Sequence, residues 1–200
     1  MDIILATASP RRHQLFNQMG ISYQIKPSNI EEKEDLSLSP GDIAKSLAQQ
    51  KGEVVAQKSN RAIVISADTI VVFDEKVLGK PQSETNAVQM LTMLSGNTHS
   101  VYSGVFVAKV DEYGVIADSI SFSERTNVTF STLNDSEIKR YVETGSPLDK
   151  AGAYGIQDDL GALFVERIEG DYYNVVGFPI NAFYQRLKNK KPDIFKHIFK

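Results

Sequence analysis

The apolar run Ala62-Ile63-Val64-Ile65-Ser66-Ala67-Asp68-Thr69-Ile70-Val71-Val72-Phe73 contains a single charged side chain, Asp68. A buried, unpaired charge is very costly, so this carboxylate must meet hydrogen-bond donors, a cation or a metal. It reads either as a general base or metal ligand, or as a strand-end aspartate bonding local backbone. Ser9-Pro10-Arg11-Arg12 places helix N-terminal amides and two guanidinium groups within four residues, the ingredients of a phosphate cradle. Arginines after a cap also occur with no ligand, so that reading stays open beside the first. Lys80, in Leu78-Gly79-Lys80-Pro81, reaches from a tight turn toward a phosphate or toward solvent. Glu31, Glu32, Glu34 and Asp35 surround Lys33, a pattern that is usually a solvated loop face. A glutamate from it, added to Asp68, would suit a hard cation held by few carboxylates, waters and phosphate oxygens.

Several chemistries drop out. Cysteine is absent, which removes disulfides, thiolate zinc sites and cysteine nucleophiles. His13, His99 and His197 are scattered and give no histidine-rich zinc site. Neither a G-x-x-x-x-G-K-[ST] loop nor a G-x-S-x-G elbow is present. The net charge of −3, without a dense basic stripe, argues against a nucleic-acid binder. Ala6-Thr7-Ala8 has the form of a signal cleavage site, but Asp2 and the short Ile3-Ile4-Leu5 stretch are wrong for a signal peptide. No run approaches the roughly 18 apolar residues of a membrane span, and the expectation is a cytoplasmic protein without a membrane partner.

The elements that must position these groups follow from pattern and punctuation. The 200 residues, 42% hydrophobic and 24% charged, suit one folded domain over 1–200. Ile3 to Ala6 reads as a short buried strand. Ser9 caps a helix with Pro10 at its first position, Leu15, Phe16 and Met19 form its stripe, and Gly20 ends it. Ser39-Pro40 with Asp42 starts a second helix that runs to about Lys58. Ile43, Leu47 and Val54 form its apolar face, with Lys51 at the edge as a snorkelling or a functional lysine. The 62–73 run should lie in the middle of a sheet. Ser83 caps a helix stopped by Gly96, and strands at about 99–110 and 115–130 form a hairpin at Asp111-Glu112-Tyr113-Gly114. Asn134 and Glu137 cap another helix, which ends at Gly145. A strand is expected at 161–168 and a last helix after Pro179. The Lys-rich end, about 188–200, reads as a solvated tail or a terminal helix.

In this order and with these separations, the segments resemble the Maf family of nucleoside triphosphate pyrophosphatases. The resemblance rests on Ala8-Ser9-Pro10-Arg11-Arg12 and the acidic pair Glu31-Glu32. It continues through Leu47-Ala48-Gln49-Gln50-Lys51, Ala67-Asp68-Thr69 and Leu78-Gly79-Lys80-Pro81. It ends with Asp149-Lys150-Ala151-Gly152-Ala153-Tyr154-Gly155-Ile156-Gln157, Asn174-Val175-Val176-Gly177 and Pro179. It implies an α/β fold of the Maf/Ham1-like (ITPase-like) kind: an elongated mixed β-sheet flanked by helices, with two lobes around a central cleft. It implies hydrolysis of a nucleoside triphosphate to monophosphate and pyrophosphate with a divalent cation, Mg²⁺ or Mn²⁺. Asp68 would accept the proton, with Lys51 and Lys80 as further catalytic groups and Asp68 and Glu32 as metal ligands. Ser9 and Arg12 would line the phosphate site, and Arg11, Thr69 and Gln157 would govern substrate choice.

The Gly155-Ile156-Gln157 and Tyr173-Asn174-Val175-Val176 segments resemble the branch that acts on dTTP and UTP, and a glutamine amide can pair with the imide edge of uracil or thymine. The alternatives are a 7-methyl-GTP pyrophosphatase and a non-hydrolysing nucleotide-binding regulator of cell division. A homodimer is compatible with the sequence. Three positions depart from the family pattern: Thr7 for serine, Phe178 for leucine, and Asp158 where glycine is usual. Asp158 sets a negative charge beside the expected base pocket.

Overall fold

The computed structural model describes residues 1–158 and 160–199; of the basic end, Lys200 lies outside the described residues. In chain order the first half contains β1 (Asp2–Leu5), α1 (Pro10–Gln18), β2 (Gln24–Ile25), α2 (Pro40–Ala56), β3 (Ala62–Phe73), β4 (Lys76–Leu78) and α3 (Glu84–Leu94). There follow β5 (Thr98–Val110), β6 (Ile116–Phe130) and α4 (Asp135–Glu143), then two 3₁₀ turns at Ser146–Asp149 and Ala151–Ala153. The chain finishes with α5 (Gly161–Phe164), β7 (Val165–Glu169), α6 (Tyr172–Val176), α7 (Ile180–Lys190) and α8 (Pro192–Ile198). The strands form a seven-stranded mixed sheet in the order β2-β1-β3-β5-β6-β7, with β4 paired to β3. This is the α/β mixed sheet with flanking helices that the resemblance implied.

The chain divides into two units: Met1–Asp68, Ser103–Glu124 and Gly177–Lys200 in one, Thr69–Tyr102 and Arg125–Val176 in the other. In the first unit β1 runs parallel to β3, Asp2 opposite Ala62 and Leu5 opposite Ile65, and parallel to β2 on its other side. The β-branched 62–67 stretch is buried throughout, as a central strand requires. α2 covers this part of the sheet with Ala44, Leu47, Ala48, Gly52, Val55 and Ala56. Val55, rather than the half-buried Val54, completes its apolar face. Two close approaches fix how near the helix lies. A methyl group on Gly52 would stand 2.3 Å from Phe106 and 2.5 Å from the Ser66 hydroxyl, and one on Gly104 would stand 2.0 Å from the Ala44 carbonyl oxygen. The Ser66 hydroxyl donates to the Ala48 carbonyl at 2.6 Å, which ties strand to helix.

Within this unit, Phe178 packs edge to face against Phe16 of α1 and Phe183 of α7, with centroids 4.9 Å apart for Phe16 and Phe178. Phe178, the departure from leucine, is fully buried here. Of the Lys-rich end, residues 188–190 finish α7 and 192–198 form α8, which buries Ile194 and Ile198, while Phe195 and Phe199 pack against Tyr184 of α7.

In the second unit β4 pairs antiparallel with β3 through Asp74 and Glu75, both at positive φ. α3 and α4 pack together. The Ser83 cap on α3 and the reciprocal Asn134/Glu137 capping box on α4 form as their sequences predict. The strand expected at 161–168 is corrected: 161–164 make one helical turn, and only Val165–Glu169 is extended. Gly161 packs where a methyl would meet the Gly155 carbonyl at 2.5 Å, and Phe164 is drawn inward against Phe130 and Tyr141, so tertiary contact overrides a short apolar run.

Candidate active site

Within the first unit the site grows from the docking of α2 on β3. Ser66 points at α2, and strand alternation puts Asp68, two residues on, on the same face. On α2, Lys51 precedes the close-packed Gly52 and lies one turn beyond Ala48. The two side chains therefore meet: Lys51 Nζ donates to Asp68 Oδ1 at 2.5 Å, with each side chain 14% exposed. The same ammonium lies 3.0 Å from Glu32 Oε1. The local-backbone reading of Asp68 is thus set aside in favour of a cation partner, and the edge lysine of α2 is an ion-pair group rather than a snorkelling one. Asp68 and Thr69 are also where the burial of β3 opens, since both are half-buried between two buried stretches of the strand.

The loop after β1 delivers the guanidinium groups. Ser9 has N-cap backbone geometry with Pro10 next, but its side chain makes no cap bond. Arg12 is buried; its Nε donates to the Gly177 carbonyl at 2.8 Å and its Nη1 to the Thr7 hydroxyl at 3.3 Å. Thr7 thus retains the hydroxyl function of the serine it replaces. Burial pushes the Arg12 guanidinium below its ordinary value, the negative field of Asp68 and of Glu32 opposes that shift, and Arg11 adds to it. A guanidinium remains charged regardless. Glu32, Lys51, Asp68 and Arg12 therefore share one electrostatic neighbourhood, with Arg11 half-buried beside it.

Thr69, Lys80 and Gln157 belong to the second unit. Lys80 is exposed just beyond β4 and, among the described residues, makes no hydrogen bond or ion pair. Gln157 is exposed in a turn closed by the Asp158 amide donating to the Gly155 carbonyl at 3.1 Å. Beside this turn is a cavity of about 640 Å³ whose lining includes Arg140 of α4, Thr144 just after it, Gln157, Leu160 and Asp158 itself. Asp158 Oδ2 accepts from the Tyr141 hydroxyl at 2.8 Å and the Ser146 hydroxyl at 2.6 Å, and it is ion-paired with Lys150 Nζ at 3.2 Å. Burial, reinforced by the hydrogen bond to Asp158, pushes the Tyr141 hydroxyl far above its ordinary value and keeps it a donor. Sequence reasoning passed over this arrangement, because Tyr141, Ser146 and Lys150 carry no motif that links them to Asp158.

The donor set can be tested against a divalent cation. Among the described residues, no group of three or more His, Cys, Asp or Glu side chains could hold a metal ion. Two carboxylates, Asp68 and Glu32, do converge on one positive charge. That set fits a hard cation that fills the rest of its shell with water and substrate oxygens better than it fits a closed protein cage.

The family model described as Maf-like protein matches residues 2–190. The chain belongs to the Maf-like protein family. It is 46% identical over 192 residues to the dTTP/UTP pyrophosphatase of Bacillus cereus strain AH820, covering 96% of this chain and 97% of that protein. Proteins of the same name from Bacillus thuringiensis subsp. konkukian strain 97-27 and Bacillus anthracis strain CDC 684 / NRRL 3495 match over the same shares of chain, at 46% and 45% identity. The Maf-like match ends at residue 190, before α8. No helix among the described residues is long and apolar enough to cross a membrane.

Proposed function

We propose that this Maf-like chain is a nucleoside triphosphate pyrophosphatase that hydrolyses dTTP and UTP to the monophosphate and pyrophosphate. The observation that carries the reading is the convergence of Asp68 and Glu32 on Lys51, within the field of Arg12. The names of its Bacillus relatives support the choice of substrates.

In this reading water attacks the α-phosphorus, the new P–O bond forms as the α–β bridging bond breaks, and the water proton passes to Asp68. Lys51 orients that carboxylate and, once triphosphate is present, offsets charge on the departing pyrophosphate together with Lys80 and the buried Arg12. Arg12 acts through its field, since Gly177 and Thr7 already hold it. Ser9 and the first turn of α1 supply donors to phosphate oxygens. Asp68 and Glu32 would hold a divalent cation, Mg²⁺ or Mn²⁺, which when bound would supply charge neutralisation of the triphosphate and polarisation of its oxygens. Gln157, with Arg11 and Thr69, selects the base: its amide donates to a pyrimidine carbonyl and accepts from N3–H.

The test is pyrophosphate release from dTTP, UTP, GTP, 7-methyl-GTP and dITP with Mg²⁺ or Mn²⁺, with Asp68→Asn as control. The expected result is turnover of dTTP and UTP that the variant loses. Turnover confined to 7-methyl-GTP would overturn the base assignment, and binding without hydrolysis of any triphosphate would overturn the enzymatic one.

A further inference from the structure

Asp158 replaces the glycine usual after the Ile-Gln pair, and its charge is matched inside the second unit. Lys150, a buried lysine, donates to the Ser146 carbonyl and to Asp149 Oδ1, both at 2.6 Å, and lies 3.2 Å from Asp158 Oδ2. The carboxylate reaches three separate pieces of chain: α4 through Tyr141, the first 3₁₀ turn through Ser146, and the segment before the second 3₁₀ turn through Lys150. The Tyr141 hydroxyl in turn accepts from the Gly155 amide at 3.1 Å, so both ends of the 155–158 turn are anchored to the same buried phenol. The approach is tight: a methyl on Gly155 would stand 2.7 Å from the Asp158 carboxylate. Between the anchors Ile156 is buried and Gln157 projects outward.

We infer that Asp158 is a positioning residue for base recognition, fixing through Tyr141, Ser146 and Lys150 the direction in which the turn presents Gln157. This rests on the dTTP/UTP reading above. The negative charge that the sequence sets beside the base pocket does not repel substrate, because it faces a lysine and two hydroxyl donors. Its effect is conformational. A turn held at one end only by its backbone bond would present the amide over a range of directions, and a bidentate pair with an imide edge tolerates little misalignment.

The experiment compares wild type, Asp158→Asn and Tyr141→Phe. It measures kcat and KM for dTTP, UTP and GTP, melting temperature, and amide exchange over 155–158 without nucleotide. Asp158→Asn should raise KM for both pyrimidine substrates roughly tenfold, the scale of one charge-assisted hydrogen bond. It should leave kcat within about threefold, narrow the preference over GTP and speed exchange at 155–158. Tyr141→Phe should move each quantity the same way by less, and it carries the test if Asp158→Asn does not fold. A lower melting temperature with KM and base preference unchanged would assign Asp158 a purely structural role and overturn the inference. Absence of triphosphate turnover by wild type would instead sink the proposed function. In that case unchanged exchange in the variants would still refute the anchoring.

Discussion

Replacing Asp68 with asparagine separates a catalytic carboxylate from a structural ion pair by the size of two effects. The substitution keeps the shape and an acceptor for Lys51 but removes the charge. Lys51 and Asp68 meet at 2.5 Å with side chains 14% exposed, and Lys51 retains Glu32 as a second partner at 3.0 Å. The stability loss is therefore the difference between a charge-assisted and a neutral hydrogen bond, about 1–2 kcal/mol after discounting for partial exposure. For a chain of this length that is a fall in melting temperature of roughly 2–8 °C. Loss of a general base lowers turnover by about 10²- to 10⁴-fold, equivalent to about 3–5.5 kcal/mol in the transition state. The assay is pyrophosphate release from dTTP and UTP at saturating substrate, alongside thermal unfolding of the same preparations. A variant that melts several degrees lower yet retains kcat within threefold of wild type would refute the assignment of Asp68 as proton acceptor and leave it an ion-pair partner of α2.

Three further outcomes are expected. Chelation should abolish turnover and added Mg²⁺ or Mn²⁺ restore it, and Glu32→Gln should raise the half-saturating metal concentration at least severalfold; unchanged metal dependence in that variant would remove Glu32 from the ligand set. Gly104→Ala directs a methyl to 2.0 Å from the Ala44 carbonyl, a backbone atom with little room to move. It should cost about 1–3 kcal/mol in urea unfolding and displace α2 enough to lower kcat/KM as well. His99, buried against Tyr154 and Phe130, has its imidazole lowered by burial from 6.5 to about 4. Its neutral form contributes stability present above the unfolded value and lost as pH falls toward the folded one. About 2 kcal/mol should disappear between pH 7.5 and pH 5 on this account, and His99→Gln should flatten that slope, which urea unfolding at the two pH values measures.

The local elements were legible because their causes are local. Ser83, Asn134 with Glu137, and Gly20, Gly96 and Gly145 bound their helices through bonds and backbone angles reached within a few residues. The β-branched 62–73 run reads as a central strand because burial on both faces leaves no room for alternation. Asp68 stood out for the same reason, as the one charge that such a strand had to reconcile. The first half of the 161–168 segment was misread because a four-residue apolar run has no period long enough to separate strand from helical turn.

What tertiary structure alone decided are the partners. Lys51 finds Asp68 because Gly52, Gly104 and Ser66 let α2 settle against the sheet, and Glu32 joins them from a loop whose acidic run otherwise reads as solvated surface. Arg12 reads from the sequence as part of a phosphate cradle, and only folding shows that it is buried and donates to a carbonyl 165 residues away in sequence. Asp158 reads from the sequence as a charge beside the base pocket, and only folding shows Lys150, Tyr141 and Ser146 gathered around it. Residue type and spacing specify which groups are able to ionise, cap or turn. Which charge each one meets depends on approach distances of a few ångströms between segments far apart in the chain, set by packing that no local pattern encodes.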